Sequence, residues 1–229
     1  MNQQDIEQVV KAVLLKMTAS SQPDDAVHEM GVFASLDDAV AAAKVAQQGL
    51  KSVAMRQLAI HAIREAGEKH ARELAELAVS ETGMGRVEDK FAKNVAQARG
   101  TPGVECLSPQ VLTGDNGLTL IENAPWGVVA SVTPSTNPAA TVINNAISLI
   151  AAGNSVVFKP SEKTPASGAF LVDCYHAAGV TEEAVRLVLG GPEAGRALAA
   201  HDDIDGLLFT GSARTGIALN RQFAERPEK

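Results

Sequence analysis

Residues 125–160, PWGVVASVTPSTNPAATVINNAISLIAAGNSVVFKP, constrain the fold more than any other stretch of this chain. Residues 127–132 are a short β-branched run ending at Thr133-Pro134, the pattern of a strand entering a turn. Asn137 then stands where a side chain can cap a helix, and Pro138 brings a pre-set φ to its first position. Val142, Ile143, Ala146, Ile147, Leu149 and Ile150 recur at helical spacing, and Gly153 supplies the stop. Residues 155–158 form a second apolar run. Strand, helix and strand in this order give a βαβ unit with a parallel sheet buried on both faces. Ligands of such sheets sit at the carboxyl ends of the strands. Here those ends are residues 133–137 and 159–163, both polar and rich in turn residues.

The alternation continues beyond Lys159. Thr164-Pro165 opens a helix that stops at Gly179, and residues 186–189 read as a strand. A Gly-Gly-Pro turn at 190–192 leads into a helix over 193–200. Residues 206–209 read as another buried strand, and Ser212 opens a last helix reaching Ala224. Residues 127–229 thus read βαβαβαβα, a Rossmann-like, doubly wound α/β core.

An N-terminal helical region, residues 28–117, precedes it. Ser35 and Asp38 form a capping box ahead of a helix over 39–50. Helical spacing continues over 53–79, broken only by Gly67, then SETGMGR at 80–86 reads as a turn and 87–99 as a helix. Residues 100–117 look irregular, with Pro102, Gly103, Pro109 and Gly114. Residues 118–123 read as a strand, within a segment 118–126 that pairs outside the main sheet. At the start, Ile6, Val9, Val10, Val13, Leu14 and Met17 lie on one stripe of a helix within residues 1–17, tethered by a polar linker over 18–27. So short an amphipathic helix needs something to bury its stripe against. It either folds back on its own domain or docks on another protein, and the residues alone leave both open.

Composition narrows the partners. With 45% apolar and 21% charged residues the chain reads as an ordinary globular protein, and only 3% aromatic content suits helix-on-sheet packing. A net charge of −7 argues against nucleic acid. No segment has the apolar length of a membrane span, and no secretory leader begins the chain. Cys106 and Cys174 lie far apart in unrelated contexts, which fits idle thiols in a reducing, cytoplasmic compartment. The five histidines never fall at a metal-ligand spacing. His61 and Glu65, one helical turn apart, read as a solvated face, so no metal is expected.

Two loops carry chemistry. In FTGSARTG, residues 209–216, the backbone N–H groups of a helix start and the Ser212 hydroxyl after Gly211 favour a phosphate. Ile217 and Ala218 occupy the positions where a Walker loop needs Lys and Ser/Thr, and G-x-G-x-x-G is absent. The other loop is Lys159-Pro160-Ser161-Glu162. Its charges could form a plain surface ion pair. Equally, the carboxylate can accept from ribose hydroxyls and the lysine donate to them, and the carboxylate would repel a 2′-phosphate, favouring NAD over NADP. The two loops lie on strand ends of one sheet, and together they favour a dinucleotide site.

VVFKPSEKTP, followed some fifty residues on by FTGSARTG, resembles the aldehyde dehydrogenase superfamily. SETG at 80–83 and PWGVVASVTP at 125–134 match the same pattern. The resemblance covers essentially the whole chain. It implies that Lys159 and Glu162 hold the adenosine ribose and that Ser212 lies on the pyrophosphate. Thr133, Pro134, Ser161 and Gly211 fall within the same matching motifs and complete the expected cofactor contacts. Residues 1–156 resemble the acetylating acetaldehyde dehydrogenases of ethanolamine utilisation, which use NAD and coenzyme A inside a bacterial microcompartment. By that resemblance residues 1–17 look like an encapsulation peptide, docking on a shell or enzyme partner. Residues 157–229 are more similar to the hydrolytic succinylglutamate semialdehyde dehydrogenases, as in a chimaera joined within the strand at 155–158.

The departures from the family bear on activity. The family's nucleophile is a cysteine in a catalytic domain that follows the dinucleotide-binding domain. Neither Cys106 nor Cys174 sits in a matching motif, and the general-base Glu-(Leu/Met)-Gly-Gly motif is absent. The family's oxyanion asparagine aligns with Thr136, one residue before Asn137, so Asn137 does not inherit that role and helix capping is enough to explain it. The resemblance implies thiolate attack on an aldehyde, hydride transfer to NAD and release of the thioester to coenzyme A or water. This chain carries the cofactor-binding part of that apparatus and lacks the catalytic domain, so it is expected to be inactive alone. The alternatives are a piece of a hydrolytic semialdehyde dehydrogenase and a non-enzymatic cargo or interaction module. A missing catalytic domain leaves apolar surface exposed, so self-association is expected.

Overall fold

The structure, a computed structural model, describes residues 31–180 and 184–226. The helix and linker expected over 1–17 and 18–27 lie outside the described residues. Val32–Phe33 (β1) opens the described chain and pairs in parallel with a strand some 150 residues away, Val32 opposite Leu187. A two-residue strand has no periodicity to read. Helix α1, Leu36–Gly49, starts where Ser35 accepts from the Asp38 N–H at 3.3 Å. The helix expected over 53–79 is two, α2 (Val53–Lys69) and α3 (Ala71–Thr82), divided at His70 and not at Gly67. Gly67 stays helical because it is a point of close approach. A Cβ there would lie 3.3 Å from Ala98 Cβ and from Ile143 Cδ1. The turn expected over 80–86 starts late, since α3 continues to Thr82 and ends on Gly83 at φ 64. Helix α4 is Val87–Gly100.

The region expected to be irregular contains a strand. Gln110–Gly114 (β2) pairs antiparallel with Gly117–Ile121 (β3), outside the main sheet, with Asp115-Asn116 at the turn. Pro109 and Gly114 bracket β2 and hid it. Every residue of the hairpin is exposed, including Val111, Leu112, Leu118, Leu120 and Ile121.

The expected βαβ unit is Val128–Val132 (β4), Pro138–Ala151 (α5) and Ser155–Lys159 (β5), with Val128 opposite Ser155 and Val132 opposite Lys159 in parallel register. It continues through α6 (Pro165–Ala177), β6 (Val185–Val188), α7 (Pro192–Ala200), β7 (Gly206–Phe209) and α8 (Ala213–Phe223). The sheet order is β1-β6-β5-β4-β7, all parallel. Side chains alternate between two cores. Val129, Val156, Phe158 and Leu187 join Ile143, Ile147, Ile150 and Tyr175 under α2, α5 and α6. Val128, Ala130, Val157 and Val188 pack with Phe33, Val40, Leu198 and Ile204 on the other face. Both faces are covered, which is why the strands read as unbroken apolar runs. One strand differs from expectation: β7 is an edge, with Leu208 exposed and Leu207 and Phe209 half-buried.

Candidate functional site

From β4 the chain winds outward through β5 and β6 on one side, and β7 then returns to the other side of β4. The carboxyl ends of β4 and β7, where the strand order reverses, are the usual ligand position in an open α/β sheet. Thr133 directly follows β4 there. It is 3% exposed, its N–H donates to the Lys159 carbonyl at 3.1 Å, and its Oγ1 finds no hydrogen-bond partner among the described residues. Pro134 follows, half-buried. After β7, Ser212 caps α8, accepting from the Thr215 N–H at 3.2 Å and sharing a 2.9 Å hydrogen bond with the Thr215 hydroxyl. The residues of the first turn of α8 are exposed, and beyond the Thr215 N–H taken by Ser212 a helix start leaves further backbone donors without intrahelical partners. A Cβ on Gly211 would come within 2.5 Å of the tip of the Phe209 ring, so a side chain there would displace that ring.

At the end of β5, Lys159 is 5% exposed. Its ammonium makes no hydrogen bond among the described residues, and burial holds its pKa below the ordinary lysine value, opposed by the charges of Glu162 and Glu193. The plain surface ion pair is therefore not what forms here. Ser161 turns the loop, its hydroxyl accepting from the Lys163 N–H at 3.3 Å and its carbonyl from the Thr164 N–H at 2.9 Å. Glu162 is exposed, with Oε2 3.7 Å from the place a Cβ on Gly191 would take, while Glu193 Oε2 is 2.7 Å from the same point. Glu193 was not among the candidate residues. The only sequence signal for it is its place in the Gly-Gly-Pro-Glu turn after the next strand.

Asn137 corrects an expectation. It holds the cap position of α5, but its side chain makes no capping bond. Its Oδ1 instead accepts from Lys93 Nζ at 3.1 Å, and Lys90 Nζ donates to the Thr136 carbonyl at 2.7 Å. Lys90 is buried, which lowers its pKa, as does the charge of Lys93. Both lysines sit on α4, in a sequence that reads as a solvated helix face. Another contact explains SETG. Glu81 accepts from the Ala166 N–H at 2.8 Å, the Ser167 N–H at 3.1 Å and the Ser167 hydroxyl, capping α6 directly after the Lys159–Glu162 loop.

Neither thiol belongs to the loops at these strand ends. Cys106 is exposed in a short 3-10 turn, Val104–Cys106, beside Glu105, which pairs with Arg64 of α2. Cys174 lies near the end of α6, beside the end of α2, and burial pushes its thiol up to about 12. Among the described residues no three His, Cys, Asp or Glu side chains gather as a metal site, and no helix is long and apolar enough to cross a membrane.

The sequence pattern described as the Aldehyde dehydrogenase family matches residues 26–229. This chain belongs to the aldehyde dehydrogenase family. It is 95% identical to acetaldehyde dehydrogenase (acetylating) EutE of Salmonella typhimurium over 160 residues, 70% of this chain and 34% of that protein. It is also 56% identical to N-succinylglutamate 5-semialdehyde dehydrogenase of Sphingopyxis alaskensis over 119 residues, 52% of this chain and 25% of that protein. Two solved aldehyde-dehydrogenase-type structures share its fold. One is a propionaldehyde dehydrogenase from the Clostridium phytofermentans fucose utilisation bacterial microcompartment, with TM-score 0.81. The other is an engineered glycolyl-CoA reductase with bound NADP+, with TM-score 0.80. Each is 36% identical over 85% of this chain and 46% of its own. The chain thus spans less than half the length of these relatives.

Proposed function

We propose that this chain is an NAD-binding portion of an acetaldehyde dehydrogenase that does not oxidise aldehydes by itself. The observation that carries the reading is Lys159, its side chain largely buried and its ammonium without a hydrogen bond among the described residues. It lies in the loop with Glu162 after β5, on the same side of the sheet, that of the strand carboxyl ends, as the Ser212-capped start of α8. A dinucleotide fits those residues: the lysine and carboxylate take a ribose diol, the α8 amides and Ser212 take the pyrophosphate, and Thr133 Oγ1 has hydrogen bonds to offer. Ser161, Pro134 and Gly211 shape the loops so that backbone approaches the ligand. Bound NAD would supply the hydride acceptor; this chain's residues would bind and orient it. Neither thiol belongs to these loops: Cys106 sits in the turn after α4, and Cys174 is buried beside α2 with a thiol that stays protonated. Coenzyme A would belong to the reaction of the whole enzyme.

The strong match to one acetylating relative over 160 residues, beside a partial match to a semialdehyde dehydrogenase, supports a chain combining two subfamilies. A microcompartment relative among the structural neighbours supports a docking role for residues 1–17 and a location in such a compartment within the cytoplasm. The exposed apolar hairpin supports self-association.

The test is calorimetric titration with NAD of the chain and of a Lys159→Ala/Ser212→Ala variant, with an assay for aldehyde-dependent NADH formation. Saturable binding, weakened at least about tenfold in the variant, is expected, because hydrogen bonds to charged groups are lost. No NADH should form. An isotherm indifferent to both substitutions, or NADH production by the purified chain, would overturn the reading.

A further inference from the structure

Lys90 is a buried cation placed where the fold gains little from a charge. It is 6% exposed, in the first turn of α4, at the positive end of that helix dipole. Lys93 follows one turn later, so the two ammoniums repel each other. The neighbouring acids are taken, Glu88 by Arg72 and Asp89 by Arg86, and neither lysine makes an ion pair among the described residues. The side chain passes close to Gly85, where a Cβ would lie 3.4 Å from Lys90 Cε. A buried charge without a counter-ion costs stability.

Both lysines reach the same loop. Lys90 Nζ donates to the Thr136 carbonyl at 2.7 Å, and Lys93 Nζ to Asn137 Oδ1 at 3.1 Å. These acceptors lie in the connection 133–137 between β4 and α5, at the carboxyl end of the strand where the order of the sheet reverses. The connection begins at Thr133, whose N–H donates to the Lys159 carbonyl at 3.1 Å, and ends at a helix start without a side-chain cap. Thr136 is exposed, so water could satisfy its carbonyl, and the fold does not require a charged donor there. We propose that Lys90 is a positioning residue of the ligand site: its ammonium holds the Thr136 carbonyl and so fixes the 133–137 loop, with the Thr133 hydroxyl, in the form that meets the cofactor. This rests on the dinucleotide reading above and adds to it a residue of the helical region. A loop that is competent only part of the time lowers the apparent affinity by that fraction.

The experiment compares the full chain with Lys90→Met and Lys90→Arg, by calorimetric titration with NAD and by urea unfolding. Methionine is an unbranched, flexible side chain that fills the space without a charge or a donor; arginine keeps both. A lysine that only supports the fold would, when replaced by methionine, take stability and affinity down together. Positioning splits them. The urea midpoint of Lys90→Met should stay at or above that of the unsubstituted chain, because a charge without a counter-ion is no longer buried. Its NAD affinity should fall about fivefold or more, as for a loop competent a fifth of the time. Lys90→Arg should bind NAD within about twofold of the unsubstituted chain, since charge and donor are retained. An unchanged affinity in Lys90→Met, a loss matched by a lower midpoint, or an arginine variant as weak as the methionine one would overturn the assignment while leaving NAD binding in place. Absence of saturable NAD binding by the unsubstituted chain would overturn the dinucleotide reading, and the assignment with it.

Discussion

Replacing Glu81 with glutamine separates two opposing effects at the join between the helical region and the cofactor loop. The carboxylate caps α6, taking the Ala166 and Ser167 N–H groups and the Ser167 hydroxyl. Losing a side-chain cap costs about 0.5–2 kcal/mol, and hydrogen bonds to a charged group contribute about 1.5–3 kcal/mol. Against this, burial is the larger influence on Glu81 and pushes its pKa above the ordinary carboxylate value, with the three hydrogen bonds pulling it back. The charged form is thus costly where it sits. Glutamine keeps one acceptor oxygen and carries no charge to desolvate, so the substitution should cost about 1 kcal/mol or less near neutral pH. The pH dependence has a definite sign. A carboxylate whose pKa is higher in the folded state than in the unfolded state binds more protons when folded. Its contribution to stability is greatest below the unfolded value, about 4.3, and declines as pH rises through the folded value. Urea unfolding of both proteins between about pH 4 and 7 measures this. The unsubstituted chain should lose stability relative to Glu81→Gln as pH rises. A widening advantage for the unsubstituted chain over the same range would mean that the hydrogen bonds, not burial, dominate at Glu81.

Two further outcomes are expected. Asn154 accepts from the Trp126 N–H at 2.7 Å and the Gly127 N–H at 3.1 Å, and so holds the chain as it enters β4. Asn154→Ala strands both donors and should lower unfolding stability by about 2–4 kcal/mol, read from the urea midpoint; a loss under 0.5 kcal/mol would show that water replaces the side chain. In the native chain at pH 8, iodoacetamide should modify the exposed Cys106 promptly and leave Cys174 intact until denaturant is added, since burial keeps the latter a thiol at about 12. Equal labelling of both in the native chain would contradict the packing of α6.

The sequence by itself determined the βαβ unit around β4 and β5, the strands and helices that follow, and the two loops that carry Lys159, Glu162 and Ser212. These features are local. A buried parallel strand must be apolar throughout, a helix start needs its cap and a tight turn needs its glycine, so each leaves a mark within a few residues. The tertiary structure decided whatever depends on residues far apart in the chain. Val32–Phe33 became a strand only because β6 offered an open edge. Gly67 stayed in its helix because α4 and α5 press against it. Asn137 gave its side chain to Lys93 rather than to its own helix, since the α4 lysines reach the loop from across the domain. Glu193 comes near Glu162, over Gly191, only when the ends of β5 and β6 are brought side by side. Charge pairing across such distances has no period and no spacing in the sequence, and it exists only once the backbone has fixed where each side chain begins.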